Sequence, residues 1–236
     1  LALAIGLGVN SVAFSAVNAL LYKPFRFANA DRAGWLFVGT RQRPLDGVSV
    51  EVFDAIARES RTLSVVAADA RTRLAYTHDG FTEEIWAQVV SSRYFSIIGV
   101  QPVTGRTLGA SDGSDGEVPV LVSERFWRRR LGATRDIERL TIEINRQAAG
   151  IVGVLPDDFQ GPGGVFEPDV WVPLTARRTL DLPAGYESRD ARWLSLIAEP
   201  GPGIATEAVL AEVASITSGL VDVAPGDERR IRYERF

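Results

Sequence analysis

The sequence predicts an α+β protein, and three observations carry that prediction. The element order opens strand–helix–strand, continues through a β-rich middle, and closes with a strand and a helix. Runs of this kind argue against a doubly wound parallel sheet, which needs regular alternation. With 236 residues, 46% hydrophobic and 24% charged, the chain can bury a core as one large domain or two small ones.

Residues 1–22, "LALAIGLGVNSVAFSAVNALLY", contain no Asp, Glu, Lys or Arg. An uncharged apolar run of about 18 residues or more is a membrane-helix candidate. The expected span is 1–23: Tyr22 and Lys23 form an interfacial end, and Pro24 stops the helix. Ser11, Ser15 and Ala19 recur every four residues, a small-residue stripe against which another membrane helix can pack. A buried soluble helix is the alternative. A cleaved signal peptide fits less well, since its apolar stretch runs about 7–15 residues behind a positive region.

From residue 32 the pattern is soluble. "GWLFVGT" reads as a strand. "SVEVFDAIARES" reads as a helix capped by Ser49, with Val52, Phe53, Ile56 and Ala57 on one face. "LSVVAADA" and "RLAYTHDGFTEEIWAQVV" read as strands around a turn at Asp79-Gly80. "SSRYFSIIGV" reads as a short helix with a serine cap and a stop at Gly99. "VPVLV" is a strand, and "SERFWRRRLGA" a helix capped by Ser123 and ended by Gly132. "LTIEINRQAAGIVGVLP" alternates as a hairpin turning near Asn145-Arg146. "DVWVPL" and "RWLSLIAEP" are strands, "TEAVLAEVASITSGL" is a helix with Thr206 as its cap, and a last strand begins near Arg230.

Composition excludes several functions. A net charge of −4 leaves no basic footprint for nucleic acid. Zero Cys removes disulfides and thiolate chemistry. Lys23 is the only lysine, and it ends the apolar run, so no phosphate loop can be built. One His without Cys excludes a zinc site. Zero Met leads us to read the chain as a piece of a longer polypeptide.

Three motifs invite chemistry. "GASDG" (Gly109 to Gly113) matches a nucleophile elbow around Ser111, with His78 as the one histidine base. The elbow needs a helix to leave it, and "SDGEVP" cannot start one, so a loop is expected. Asp112, Ser114, Asp115 and Glu117 lack calcium-loop spacing and read as a solvated acidic loop. Arg128, Arg129 and Arg130 diverge by about 100° each on a helix and make no single patch for anions or lipid headgroups, with Phe126 and Trp127 as anchors. Catalytic, cofactor-binding and metal residues are accordingly expected to be none.

Several segments in succession resemble MacB-like ABC transporter permeases. "AIGLGVNSVAFSAVNALLYKPFRFANADR" is similar to their first membrane helix and its exit. "VSSRYFSIIGVQPVTGRTL", "VPVLVSERFWRRRLGA", "AAGIVGVLPDDFQGP", "DVWVPL" and "RWLSLIAEPGPGIATEAVLAEV" follow in the family's order. The resemblance implies a periplasmic core domain after the first membrane helix: a porter-like α/β subdomain, split into 32–103 and 190–236, with a β-rich subdomain, 104–189, inserted. It implies a non-catalytic domain without cofactors, in the inner membrane with its soluble part in the periplasm. This domain would couple a cytoplasmic ATPase to the outer side, for efflux or mechanotransmission. The implied partners are the remaining membrane helices, an ATP-binding subunit, a second copy in a homodimer and a periplasmic protein, with no nucleic acid. On this reading the gene continues past Phe236 into three more apolar spans. A membrane-anchored hydrolase built around Ser111 or a carboxylate pair, and the ligand-binding domain of a single-span sensor, are the competing readings.

Overall fold

The computed structural model of the chain describes residues 31–159, 161–162, 167–182, 186, 188 and 191–236. The span expected at 1–23 lies outside the described residues. Among these, no helix is long and apolar enough to cross a membrane.

The elements are β1 (Gly34–Thr40), α1 (Val50–Glu59), β2 (Leu63–His78), β3 (Phe81–Val90), α2 (Tyr94–Ile98), β4 (Thr104–Gly105), β5 (Val118–Ser123), α3 (Glu124–Arg130), β6 (Thr141–Ile144), β7 (Gln147–Leu155), β8 (Val170–Pro173), β9 (Ser195–Pro200), α4 (Thr206–Ile216) and β10 (Arg229–Arg235). The fold is α+β, as the element order predicts.

One end of the sheet is a wing ordered β10-β1-β9-β2, with every neighbour antiparallel. Helix α1 joins β1 to β2 across β9, and α4 joins β9 to β10 across β1. That is the split β-α-β arrangement of ferredoxin-like folds. Both helices turn apolar faces to the same side of the wing: Val52, Phe53, Ala55 and Ile56 from α1, Val209 and Val213 from α4. Ser49 caps α1, its hydroxyl accepting from the Val52 N–H at 3.3 Å. Thr206 does not cap α4. The Gly201–Ile204 turn delivers Ala205 in extended conformation, so Ala205 is the cap residue and Thr206 is already helical.

The other end closes into a barrel. β2 pairs with β3, β3 with β8 (parallel), β8 with β5, β5 with β7 (parallel), β7 with β6, and β6 returns to β2 at Tyr76–Ile144 and Thr77–Glu143. Closure gives each of these strands a neighbour on both edges over part of its length. Asp79 and Gly80 both have positive φ, and so do Asn145 and Arg146, the backbone that two-residue hairpin turns require. Asn145 also closes the ring. Its Oδ1 accepts from the Ala75 N–H and its Nδ2 donates to the Leu180 carbonyl, both at 2.8 Å.

Residues 63–78, read from sequence as two segments, form one strand of 16 residues. Ala67, Ala68 and Ala70 are buried on alternating faces, because helices cover both sides there. Small apolar residues on both faces erase the two-residue periodicity that marks a half-buried strand. Two cores result. One lies beneath α1 and α4 and runs on into the barrel. The other lies on the opposite face beneath α2, around Tyr94, Phe95, Ile97 and Ile98.

Glu212 of α4 fastens the loop between α1 and β2. It accepts from the Ser60 and Thr62 hydroxyls at 2.6 and 2.5 Å and from the Arg61 and Thr62 N–H groups at 2.9 and 3.0 Å. Burial pushes its pKa up, but these donors outweigh burial and hold it at about 2. Its folded pKa therefore lies below the unfolded one, so its contribution is present above about pH 4.5 and fades as pH falls toward 2. Glu212→Gln is expected to cost roughly 2 kcal/mol at neutral pH, the scale of a hydrogen bond to a charged group. Urea denaturation at pH 7 and pH 3 checks this, with a smaller difference at the lower pH.

Candidate functional site

The strand β2 changes partners at one residue. Asp69 lies opposite Ser195 of β9 in the wing and opposite Val90 of β3 in the barrel. Alternation places its side chain on the face covered by α2, where it is 4% exposed. Gln88 Nε2 donates to Asp69 Oδ2 at 2.7 Å and to the Tyr94 hydroxyl at 3.1 Å, while Trp171 Nε1 donates to Gln88 Oε1 at 2.9 Å. An indole N–H can only donate, so the Gln88 oxygen must face Trp171 and both amide protons are engaged. Asp69 Oδ1 is left without a partner. Burial pushes this carboxyl up to about 6, against the opposing pull of Gln88 and Arg71. Burial also drives the Tyr94 hydroxyl well above its usual range. Gly161, at φ +65, lies against that hydroxyl, and a Cβ there would sit 2.9 Å from it.

Ser91 belongs to the same seam. It does not cap α2, whose cap residue Arg93 makes no side-chain bond. Its hydroxyl instead accepts from the Ala68 N–H at 2.9 Å, tying the end of β3 back to β2 one residue before Asp69. A tertiary demand for a partner at Ala68 takes the hydroxyl that local sequence offers to the helix.

Beside the seam, clefts separate the halves. One of about 250 Å³ lies between α1 and the barrel rim, walled by Phe53, Ser91, Leu108, Ala110 and Pro173. A second, of about 600 Å³, continues along α1 toward Ile216 and Leu220. Val50, Asp54 and Arg177 border both. Burial raises the Asp54 pKa, and Arg177 and Arg58 oppose the rise.

The sequence motifs do not converge on this seam as chemistry. Ser111 is exposed in a turn-rich loop. His78 sits at the β2–β3 turn, 3.3 Å from Asp79 and opposite Phe81. Gly109 and Ala110 lie by Val90 and Ser91, at the other end of β3 from Phe81. Nine strand steps separate those ends, about 30 Å. Asp112 is a brace rather than a solvated acid. It accepts from Arg106 at 2.7 and 2.9 Å and from the Gly109 N–H at 2.6 Å, and the Arg106 contact lowers its pKa. Among the described residues no group of three or more His, Cys, Asp or Glu could hold a metal. The α3 arginines diverge: Arg128 pairs with Glu124 and Asp157, and Arg130 with Glu83. Phe126 is buried in the barrel core with Trp127 packed against it.

The fold, a ferredoxin-like wing continuous with a small barrel, is shared with domains of known structure. A domain of a putative permease from Porphyromonas gingivalis matches at TM-score 0.63 and 19% identity, over 89% of this chain and 92% of that one. The periplasmic region of MacB from Actinobacillus actinomycetemcomitans matches at 0.63 and 13%, over 90% and 92%. The extracellular domain of the noncanonic ABC-type transporter YknZ from Gram-positive bacteria matches at 0.60 and 14%, over 84% and 99%. The chain belongs to the MacB-like periplasmic core domain family, which matches residues 1–216. Comparison with curated proteins returns no match.

The Asp69 pKa makes the seam's stability depend on pH. Its folded value of about 6 lies above the ordinary 3.8, so the folded state takes up the proton first. Stability from this group is therefore full below about pH 4 and is lost as pH rises through 6, a deficit of about 3 kcal/mol at neutrality. Asp69→Asn is expected to stabilise the fold by about 1–3 kcal/mol at pH 7.5 and by little at pH 4. Urea denaturation of both proteins at the two pH values measures this.

Proposed function

We propose that this chain is the non-catalytic extracytoplasmic domain of an ABC-type permease, held between two membrane helices, and that it carries events at a cytoplasmic ATPase to the outer side. The observation that carries the reading is the pairing of its first and last strands. Gly34 lies opposite Arg235, so the chain enters and leaves the wing at one place. Trp35 and Phe236 meet there edge to face at 5.4 Å, and the Phe236 N–H donates to the Ala33 carbonyl at 3.3 Å. A domain moved by two successive membrane helices needs its ends side by side. The barrel sits on the far side of β2 from that edge, where it can meet cargo or a periplasmic partner.

On this reading the wing and barrel are the porter-like subdomain and its insertion. The parent permease acts as a homodimer with an ATP-binding subunit, in efflux or in force transmission. Among the described residues Ser111 and His78 do not assemble into a hydrolase site, since they lie about 30 Å apart along β3.

This chain contributes no cysteine of its own, so labels are placed on introduced thiols after any cysteines elsewhere in the complex are replaced. Spin labels at the exposed Leu45 of the wing and Phe81 of the barrel are introduced singly and together in the full permease with its ATPase. Electron–electron distance distributions are expected to differ between nucleotide-free and vanadate-trapped complexes. Unchanged distributions within and between protomers, in complexes that hydrolyse ATP, would overturn the coupling role.

A further inference from the structure

We propose that Asp69 is a proton-operated latch on the seam. With its proton bound, wing and barrel stay joined through β2, β3 and α2; ionised, the carboxylate loosens their pairing.

The argument rests first on place. Asp69 is the residue at which the hydrogen-bonded partners of β2 change from β9 to β3, so a change in its solvation acts on both halves at once. It rests next on the supply of donors. Gln88 has both amide protons engaged and Trp171 gives its single N–H to Gln88. The Tyr94 and Ser91 hydroxyls accept from Gln88 and from the Ala68 N–H, and neither hydrogen-bonds Oδ1, which is buried and without a partner. A bare carboxylate oxygen in a dry site is costly, whereas a neutral carboxyl asks for far less solvation. The proton belongs on Oδ1, since Oδ2 accepts from Gln88.

The surroundings offer little competing charge. On β2 itself Arg71 is the cation that favours ionisation. From α2 comes Tyr94, whose hydroxyl stays neutral through the physiological range. β3 and β8 contribute the uncharged Gln88 and Trp171. On β9, Ser195 is uncharged, and Glu199, further along the same face, is ion-paired with Arg32. Gly161 covers the Tyr94 hydroxyl from the remaining side. An ionised Asp69 therefore gains solvation by letting water into the β2–β3–α2 contact. Local opening of this kind exposes a contiguous unit and leaves the rest of the fold paired.

The bearing of the latch on coupling rests on the reading above. Its test uses the full chain without any ATPase, so the two can fail separately. Amide hydrogen exchange is followed at pH 5.0 and 7.5 and corrected for intrinsic exchange. Peptides covering 66–72, 86–95 and 194–197 are expected to lose about tenfold or more protection at the higher pH, while those of β1 hold theirs. In Asp69→Asn the loss should disappear. An equal loss in the variant, or no loss in the unmodified chain, would overturn the latch. If the variant does not fold, carbon-13 titration of the Asp69 carboxyl in the unmodified chain decides: a midpoint near 6 supports the latch and one near 4 sinks it.

Discussion

The structure depends on β2 remaining a single strand. Sixteen residues span about 50 Å, and their hydrogen-bonding ladder serves the wing for the first half and the barrel for the second. Neither half can be displaced far without opening that ladder. The alanines at 67, 68 and 70 follow from this arrangement: helices approach β2 closely on both faces, and larger side chains would hold them off. The side-chain bonds of Ser91, Gln88 and Asn145 gather along the same strand, which is where the two halves have to be kept in register.

Two carboxylates in this fold show how donor supply decides the sign of a pKa shift. Glu212 and Asp69 both lose water. Glu212 meets four donors from Ser60, Arg61 and Thr62 and is held low, whereas Asp69 meets one and is pushed high. Burial is common to both; what differs is whether the charged form is hydrogen-bonded. The first works as a fastener at any ordinary pH. The second is balanced near neutrality, at the place where wing and barrel exchange strands.

Much of the fold was legible in the residues. Ser49 and Ser123 cap their helices, Gly99 ends α2 in the left-handed region, and Asp79-Gly80 and Asn145-Arg146 turn their hairpins, because each depends on chemistry within a few residues. What was not legible depends on partners far along the chain. The Ser91 hydroxyl serves Ala68, and Thr206 loses the cap position to the turn before it. The unbroken run of β2 is hidden by alanines buried on both faces. The seam was illegible for the same reason: Asp69 sits in "AADAR", and nothing local says that Gln88, Tyr94 and Trp171 will surround it. The strand order and the closed ring are likewise products of pairing between distant segments.

The pairing of Gly34 with Arg235 has a mechanical consequence. Tension that separates the two ends would load the β1–β10 ladder one rung at a time, as a zipper opens, and not all rungs together in shear. A strand pair is weak in that geometry. The wing therefore resists poorly any pull that parts residues 34 and 235. It moves as one piece when those two residues travel together.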